Sequence, residues 1–235
     1  VSSPADDAST FLAEARARVD AALDRYLPPE GDGAPGLAAA MRYSVLAGGK
    51  RVRPALVLAA CRAVGGDEEA ALPYACALEF VHTYSLIHDD LPAMDDDDVR
   101  RGKPTSHKAF GEAMAILAGD ALHTQAFDLL LRETPDADVA RRLGVTLAEA
   151  AGFAGMVGGQ VEDLAGGGAT PDAERVERIH VAKTARLIAA ATRGGGIAGG
   201  ATDAQVEALG RYGIGVGLAF QITDDVLDET GTGTR

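Results

Sequence analysis

Nowhere in this chain of 235 residues do apolar and polar residues alternate with the period of two that a half-buried strand requires. Apolar residues recur three and four apart instead. Phe11, Ala15, Val19, Ala22, Leu23 and Tyr26 keep that spacing, and Pro28, Pro29 and the glycine-rich run at 31–36 end the segment. The apolar fraction of 47% is carried mostly by Ala, Leu and Val, with 5% aromatic residues and no Trp. Side chains this small favour closely packed helices, and the length suffices for one sizeable core. The expected architecture is therefore all-α, a single domain over residues 1–235 built as an antiparallel helix bundle.

Breaks in the pattern place the helices. Residues 37–46 stop at Gly48-Gly49, and residues 54–64 begin on a first-turn proline and stop at Gly65-Gly66. A long apolar helix runs from Glu68 through Leu78, Val81, Ser85 and Ile87 to about Asp89, after which Pro92 makes residues 90–98 bulge or unwind. Further helices are expected over 111–132, 136–153, 171–193 and 204–228. Thr170-Pro171 offers an N-cap with a first-turn proline, and Thr202 with Gln205 a capping box. Gly210, Gly213, Gly215 and Gly217 each cost the last helix up to ~1 kcal/mol relative to Ala, so close helix approach or ligand access must offset them.

Against 22 Lys and Arg stand 35 Asp and Glu, a net charge of -13 that repels a polyanion, so no nucleic-acid partner is expected. Cys61 and Cys76 sit in apolar helical context without CxxC spacing and read as small core residues in a reducing compartment. With no signal peptide and no apolar run of ~18 residues, a cytoplasmic protein without stable membrane insertion is expected.

The acids cluster. Asp89-Asp90-Leu91-Pro92-Ala93-Met94-Asp95-Asp96-Asp97-Asp98 ends one apolar helix, and Asp224-Asp225-Val226-Leu227-Asp228 ends another. Asp224 and Asp228 are four apart and share a helix face, where they repel unless a cation lies between them. Alone, either run also reads as a solvated acidic loop. Two such ends facing one another across a bundle would instead make a multi-metal site for an anion. Magnesium is usually held by a few carboxylates together with phosphates, and cations that suit a diphosphate occur in small groups: Lys50, Arg51 and Arg53; Arg100 and Arg101; Lys183. Each of these is, singly, also an ordinary surface charge.

GGKRVRP, EFVHTYSLIHDDLPAMDDDDVRRGKPTSH, GGQVEDL, IHVAKTARL and LAFQITDDVLD follow one another between Gly48 and Asp228. In that order they resemble the motifs of the trans-polyprenyl diphosphate synthases, most closely the bacterial farnesyl diphosphate synthases. The resemblance implies an isoprenoid-synthase bundle with a central cavity, magnesium as cofactor with three ions when substrate is bound, and a homodimer. It places isopentenyl diphosphate on Lys50, Arg53, His82 and Arg101, and the allylic diphosphate on Arg100, Lys183, Thr184 and Gln221. Metal would be held by Asp89, Asp90 and Asp95 and by Asp224, with Asp228 acting through water and Asp225 completing the second motif. His82 by itself is equally a packed helix histidine.

The implied reaction explains the absence of an evident general base. Positive charge stabilises the departing diphosphate, the allylic cation is attacked by the isopentenyl double bond, and released diphosphate takes the proton. Such a cation needs a dry apolar pocket. Tyr84, five residues before Asp89, lies about 7.5 Å down the helix and would floor that pocket, with Ser85 beside it, although helical phase also permits a core or interface aromatic there. In the resembling family a bulky residue at that position goes with a C15 product, so farnesyl diphosphate is expected, with geranylgeranyl diphosphate the alternative. A class I terpene cyclase would carry a different second metal motif, and a non-catalytic regulatory subunit would be expected to lose one acidic motif. The sequence ends at Arg235, short of the Gly-Lys loop and C-terminal helices usual in the family, so that segment is expected to be missing.

Overall fold

The computed structural model describes residues 4–31, 33–165 and 173–230. Apart from one two-residue ladder, its regular structure is helical, and it packs as two compact units, residues up to 55 with 75–133 and residues 56–74 with those from 134 onward.

The first unit holds α1 (Pro4–Tyr26), α2 (Leu37–Val45), the start of α3 (Val52–Ala63) and most of α4 (Glu68–Asp89). The ladder of β1 (Val99–Arg100) with β2 (Lys103–Pro104), then α5 (Ser106–Phe110) and α6 (Glu112–Glu133), completes it. The predicted stripe on α1 is buried at Ala15, Val19, Ala22 and Leu23. Along α4, Ala75, Cys76, Ala77, Leu78, Phe80 and Val81 are all 0% exposed, so this helix is apolar all round and forms the spine of the unit. Glu79, at 2%, is the exception.

The second unit contains α7 (Ala137–Ala151), α8 (Met156–Leu164), α9 (Ala173–His180), a π-turn (Val181–Ala185), α10 (Arg186–Ala198) and α11 (Asp203–Thr230). Asp136 caps α7, its side chain accepting from the amides of Asp138 and Val139 at 2.9 and 3.0 Å. Thr202 and Gln205 form the capping box that starts α11, with Thr202 N to Gln205 Oε1 at 2.9 Å and Gln205 N to Thr202 Oγ1 at 3.3 Å.

Small residues let α10 lie against its neighbours. A Cβ on Gly194 would fall 1.9 Å from the ring of Tyr74, whose hydroxyl donates to the Ala190 carbonyl at 3.0 Å, and one on Gly195 would fall 2.2 Å from the Val57 carbonyl. On α11, a Cβ at Gly213 would lie 2.5 Å from Ala189 Cα and one at Gly217 2.5 Å from Ala185 Cα. Close approach thus accounts for these two glycines, whereas nothing lies within 4 Å at Gly215.

The larger departures from the sequence reading fall in the second unit. The helix expected over 136–153 ends at Ala151, and α8, which the sequence reading did not place, follows as a separate helix through Gly158 and Gly159. The helix expected to end at Arg193 continues through Gly194, Gly195 and Gly196 because these residues are buried contacts and not a stop. Within it lies the π-turn, which no sequence signal marked. Thr170 and Pro171 lie outside the described residues.

Gly213→Ala should destabilise the fold by about 1–3 kcal/mol, because the added methyl meets backbone atoms of α10. Gly215→Ala, in open space on the same helix, should instead stabilise by up to ~1 kcal/mol. Urea unfolding of both variants checks this; equal effects would contradict the role given to close approach.

Candidate active site

The residues assigned from sequence fall into two groups, one in each unit. In the first unit, the connection after α2 passes through Gly48 (φ 89°), Gly49 (φ 139°) and Arg51 (φ 50°), a path that only glycine takes without strain at its first two positions. The β1–β2 hairpin turns on Arg101 (φ 53°) and Gly102 (φ 75°), the two positive φ values of a tight two-residue turn. Tyr43 of α2 fixes the hairpin by donating to the Pro104 carbonyl at 2.8 Å.

The hairpin separates its two adjacent arginines. Arg100 bonds Asp90 at 2.7 Å and Asp97 at 3.3 Å, joining the acidic loop. Arg101 donates instead to the Gly48 carbonyl, and its guanidinium carbon would lie 2.9 Å from a Cβ on Gly49. Arg101 thereby joins the loop that carries Lys50, which is exposed, and that leads into α3, whose first turn carries Arg53. Arg53 Nη1 meets His82 Nε2 of α4 at 3.4 Å. Burial, then the charges of Arg53, Arg101, Arg100 and Arg51, hold the His82 imidazole well below its ordinary pKa of 6.5, so it is neutral at physiological pH and accepts from Arg53.

In the acidic loop the chain unwinds after Asp89 and returns, with the Asp95 amide donating to the Asp89 carbonyl at 2.8 Å. The backbones of those two residues thus meet, within the stretch 90–98 that is irregular as expected around Pro92. Asp90 is 3% exposed, and burial pushes its carboxyl pKa up, with Arg100 only partly offsetting this. Asp98 pairs with Lys108 at 2.7 Å. Ligand atoms of Asp96, Asp98 and His107 also lie within 4.8 Å of one another, a further group of geometry suited to a cation. Carboxylate oxygens suit magnesium, whereas the imidazole nitrogen of this last group suits a transition metal better.

Tyr84, 9% exposed, packs against α6, its ring centroid 4.9 Å from that of His123, and lies 5.7 Å from the ring of His88 one turn along α4. Ser85 Oγ donates to the His82 carbonyl at 2.8 Å.

In the second unit the π-turn carries Lys183 and Thr184. Such an extra residue in a helix re-aims the side chains it carries, and a Cβ on Gly159 of α8 would lie 2.5 Å from the Lys183 amide, so α8 seats directly on the turn. Lys183 Nζ meets Asp163 of α8 at 2.7 Å, and Thr184 Oγ1 donates to Gln221 Oε1 of α11 at 2.9 Å. Asp224, Asp225 and Asp228 follow on α11, with their side chains outside the described residues.

Sequence reasoning left two residues in these surroundings without a role: Asp163, within the GGQVEDL motif, and Glu79, which had a visible signal as the one charge between Ala75 and Val81. Arg51, grouped from sequence with Lys50 and Arg53 as a cation suited to a diphosphate, is instead buried and paired with Asp20 and Glu79, because the fold turns its side chain inward.

The profile of the polyprenyl synthetase family matches residues 34–235. Over 224 residues the chain is 50% identical to the farnesyl diphosphate synthase of Geobacillus stearothermophilus, an alignment covering 94% of this chain and 75% of that one. It is 56% identical over 196 residues to geranylgeranyl pyrophosphate synthase 7, chloroplastic, of Arabidopsis thaliana, covering 81% of this chain and 56% of the relative. Among solved structures, an FPP/GFPP synthase from Zymomonas mobilis superposes with a TM-score of 0.90 at 43% identity, over 98% of this chain and 84% of that one. The fold is the all-α fold of these prenyl diphosphate synthases, a class of transferases. The chain belongs to the polyprenyl synthetase family. It spans little more than half the length of the Arabidopsis relative.

His82 should remain neutral as pH falls through 6.5, visible as unchanged imidazole nitrogen shifts in NMR down to about pH 6. Because the folded pKa is depressed, the linked stability is present above pH 6.5 and is lost as pH falls below it. A titration midpoint at 6.5 or above would contradict the arrangement.

Proposed function

We propose that this chain carries head-to-tail prenyl transfer, joining isopentenyl diphosphate to dimethylallyl and then geranyl diphosphate, with farnesyl diphosphate as product. The observation that carries the proposal is the division of labour at the hairpin, where Arg100 engages the acidic loop and Arg101 the loop of Gly48 and Lys50 that leads into Arg53. One set of cations thus accompanies the carboxylates and a second set stands apart from them. Such separation suits two diphosphates with different fates, one leaving and one retained.

On this reading Lys50, Arg53 and Arg101 bind isopentenyl diphosphate as fixed positive charges, and neutral His82 holds Arg53 in place without adding charge of its own. Arg100, Lys183, Thr184 and Gln221 belong to the allylic substrate. Its diphosphate would displace Asp163 from Lys183. Asp89, Asp90 and Asp95, with Asp224, Asp225 and Asp228 of α11, supply the carboxylates for magnesium, and Asp90 would trade Arg100 for the metal. Magnesium when bound supplies positive charge at the departing diphosphate. The allylic C–O bond breaks with its electron pair on diphosphate, a C–C bond forms from the isopentenyl double bond, and a proton is lost to the released diphosphate. Tyr84 and Ser85 set how far the product extends along α4.

The likeness to the Geobacillus enzyme favours farnesyl diphosphate, and the likeness to the Arabidopsis one keeps geranylgeranyl diphosphate as the second reading. A homodimer is part of the proposal, as is a cytoplasmic location. Among the described residues no helix is long and apolar enough to cross a membrane.

Mass spectrometry of products from isopentenyl diphosphate with C5, C10 and C15 primers tests the reading, with chain growth to C15 and no further as the expected result. Activity should vanish with a chelator and return with magnesium. Asp89→Ala should lower turnover about 100-fold or more at unchanged helical content. Tyr84→Ala should lengthen the product to C20 or beyond; an unchanged product would remove Tyr84 as the floor.

A further inference from the structure

Arg51 is the most deeply placed charge of the basic loop. At 3% exposure its guanidinium uses all three nitrogens: Nε meets Asp20 of α1 at 2.8 Å, Nη1 meets Glu79 of α4 at 2.7 Å, and Nη2 donates to the carbonyl of Val45, the last residue of α2, at 2.7 Å. Three of its five N–H donors are committed within the protein, and at this burial the guanidinium is closed to a ligand. Its backbone is held at φ 50°, a conformation that costs a non-glycine residue free energy and persists only where its surroundings enforce it.

We infer that Arg51 is a positioning residue for the isopentenyl diphosphate pocket, acting through its fork on Glu79 to set Lys50 and Arg53 in register with His82. The inference rests on the reading of that pocket given above. Gly48 and Gly49 lie in backbone regions that other residues avoid, so the loop lacks intrinsic rigidity and needs an outside anchor. Glu79 and His82 are three apart on α4 and share a face of that helix. Arg51, the last residue before α3, and Arg53, in the first turn of α3, therefore meet one face of α4, on Glu79 and on His82. The first contact is buried and ionic, and it fixes where the second one falls. Asp20 and Val45 add α1 and α2 to the same fork, so three helices set the loop's place. Lysine cannot reproduce this, because a single ammonium lacks the planar three-way geometry.

The test measures both Michaelis constants and the thermal midpoint of the intact protein as wild type, Arg51→Lys and Glu79→Gln. The second variant keeps shape and an acceptor, and so guards against a fold lost in the first. Misplacing Lys50 and Arg53 should raise the Michaelis constant for isopentenyl diphosphate about tenfold or more and leave that for geranyl diphosphate within about twofold. A lower thermal midpoint with both constants unchanged, or both raised equally, would overturn the inference and leave Arg51 a purely structural residue. Calorimetric titration with isopentenyl diphosphate alone reads the same pocket without turnover. There, weaker binding in Arg51→Lys supports positioning and equal binding refutes it. Failure of the wild type to elongate any primer would count against the proposed function, whereas the calorimetric comparison still decides the role of Arg51.

Discussion

Backbones of neighbouring helices approach here to distances that only hydrogen or methyl side chains permit, and the arrangement of the second unit depends on it. Gly213 and Gly217 of α11 lie against Ala189 and Ala185 at separations where a further carbon would overlap. Gln221 is one turn beyond Gly217, so the same seating brings it to Thr184. Gly159 does for α8 what Gly217 does for α11, setting it on the π-turn with Asp163 one turn further along to meet Lys183. Polar contacts of the candidate site are thus a by-product of apolar packing, and an Ala- and Gly-rich composition is the requirement for both.

The first unit solves a different problem, that of keeping charge inside an apolar framework. Arg51 and Glu79 sit among side chains of α4 that no solvent reaches, and removing one member of such a pair typically costs about 3–5 kcal/mol. Asp90 is similarly enclosed, and its raised pKa shows that Arg100 does not fully compensate the lost hydration. A carboxylate left under-compensated in this way gains more from an arriving cation than a solvated one would.

Helices were legible where apolar spacing and capping chemistry agreed. The stripe on α1, the span of α4 and the Thr202–Gln205 cap all follow from local rules, and they are where the sequence reading placed them. Glycine misled it in both directions. At 152 it marks a true helix end, yet at 159 and 194–196 it serves contacts made by residues well removed in sequence. Of the candidate site, the acidic run and its unwinding around Pro92 were visible, because proline acts locally, whereas the return of the chain to Asp89 was not. The pairing of Arg101 with the Gly48 carbonyl was not visible, since it depends on a two-residue ladder too short to leave a periodic trace. Nor was the separation of roles between Arg51 and its neighbours Lys50 and Arg53, since all three are cations and what sets Arg51 apart is its burial.

The π-turn has a consequence for the whole of α10. One additional residue advances every later position by about 100° around the helix axis. The end that carries Lys183 and Thr184 and the end that presents Gly194 and Gly195 to Tyr74 and Val57 are therefore out of phase with an uninterrupted α-helix. Removing a single residue between 181 and 185 would restore regular hydrogen bonding and turn the glycine face away from its partners. The insertion acts as a fixed rotary offset, through which a ligand-facing surface and a packing surface with incompatible azimuths share one continuous rod.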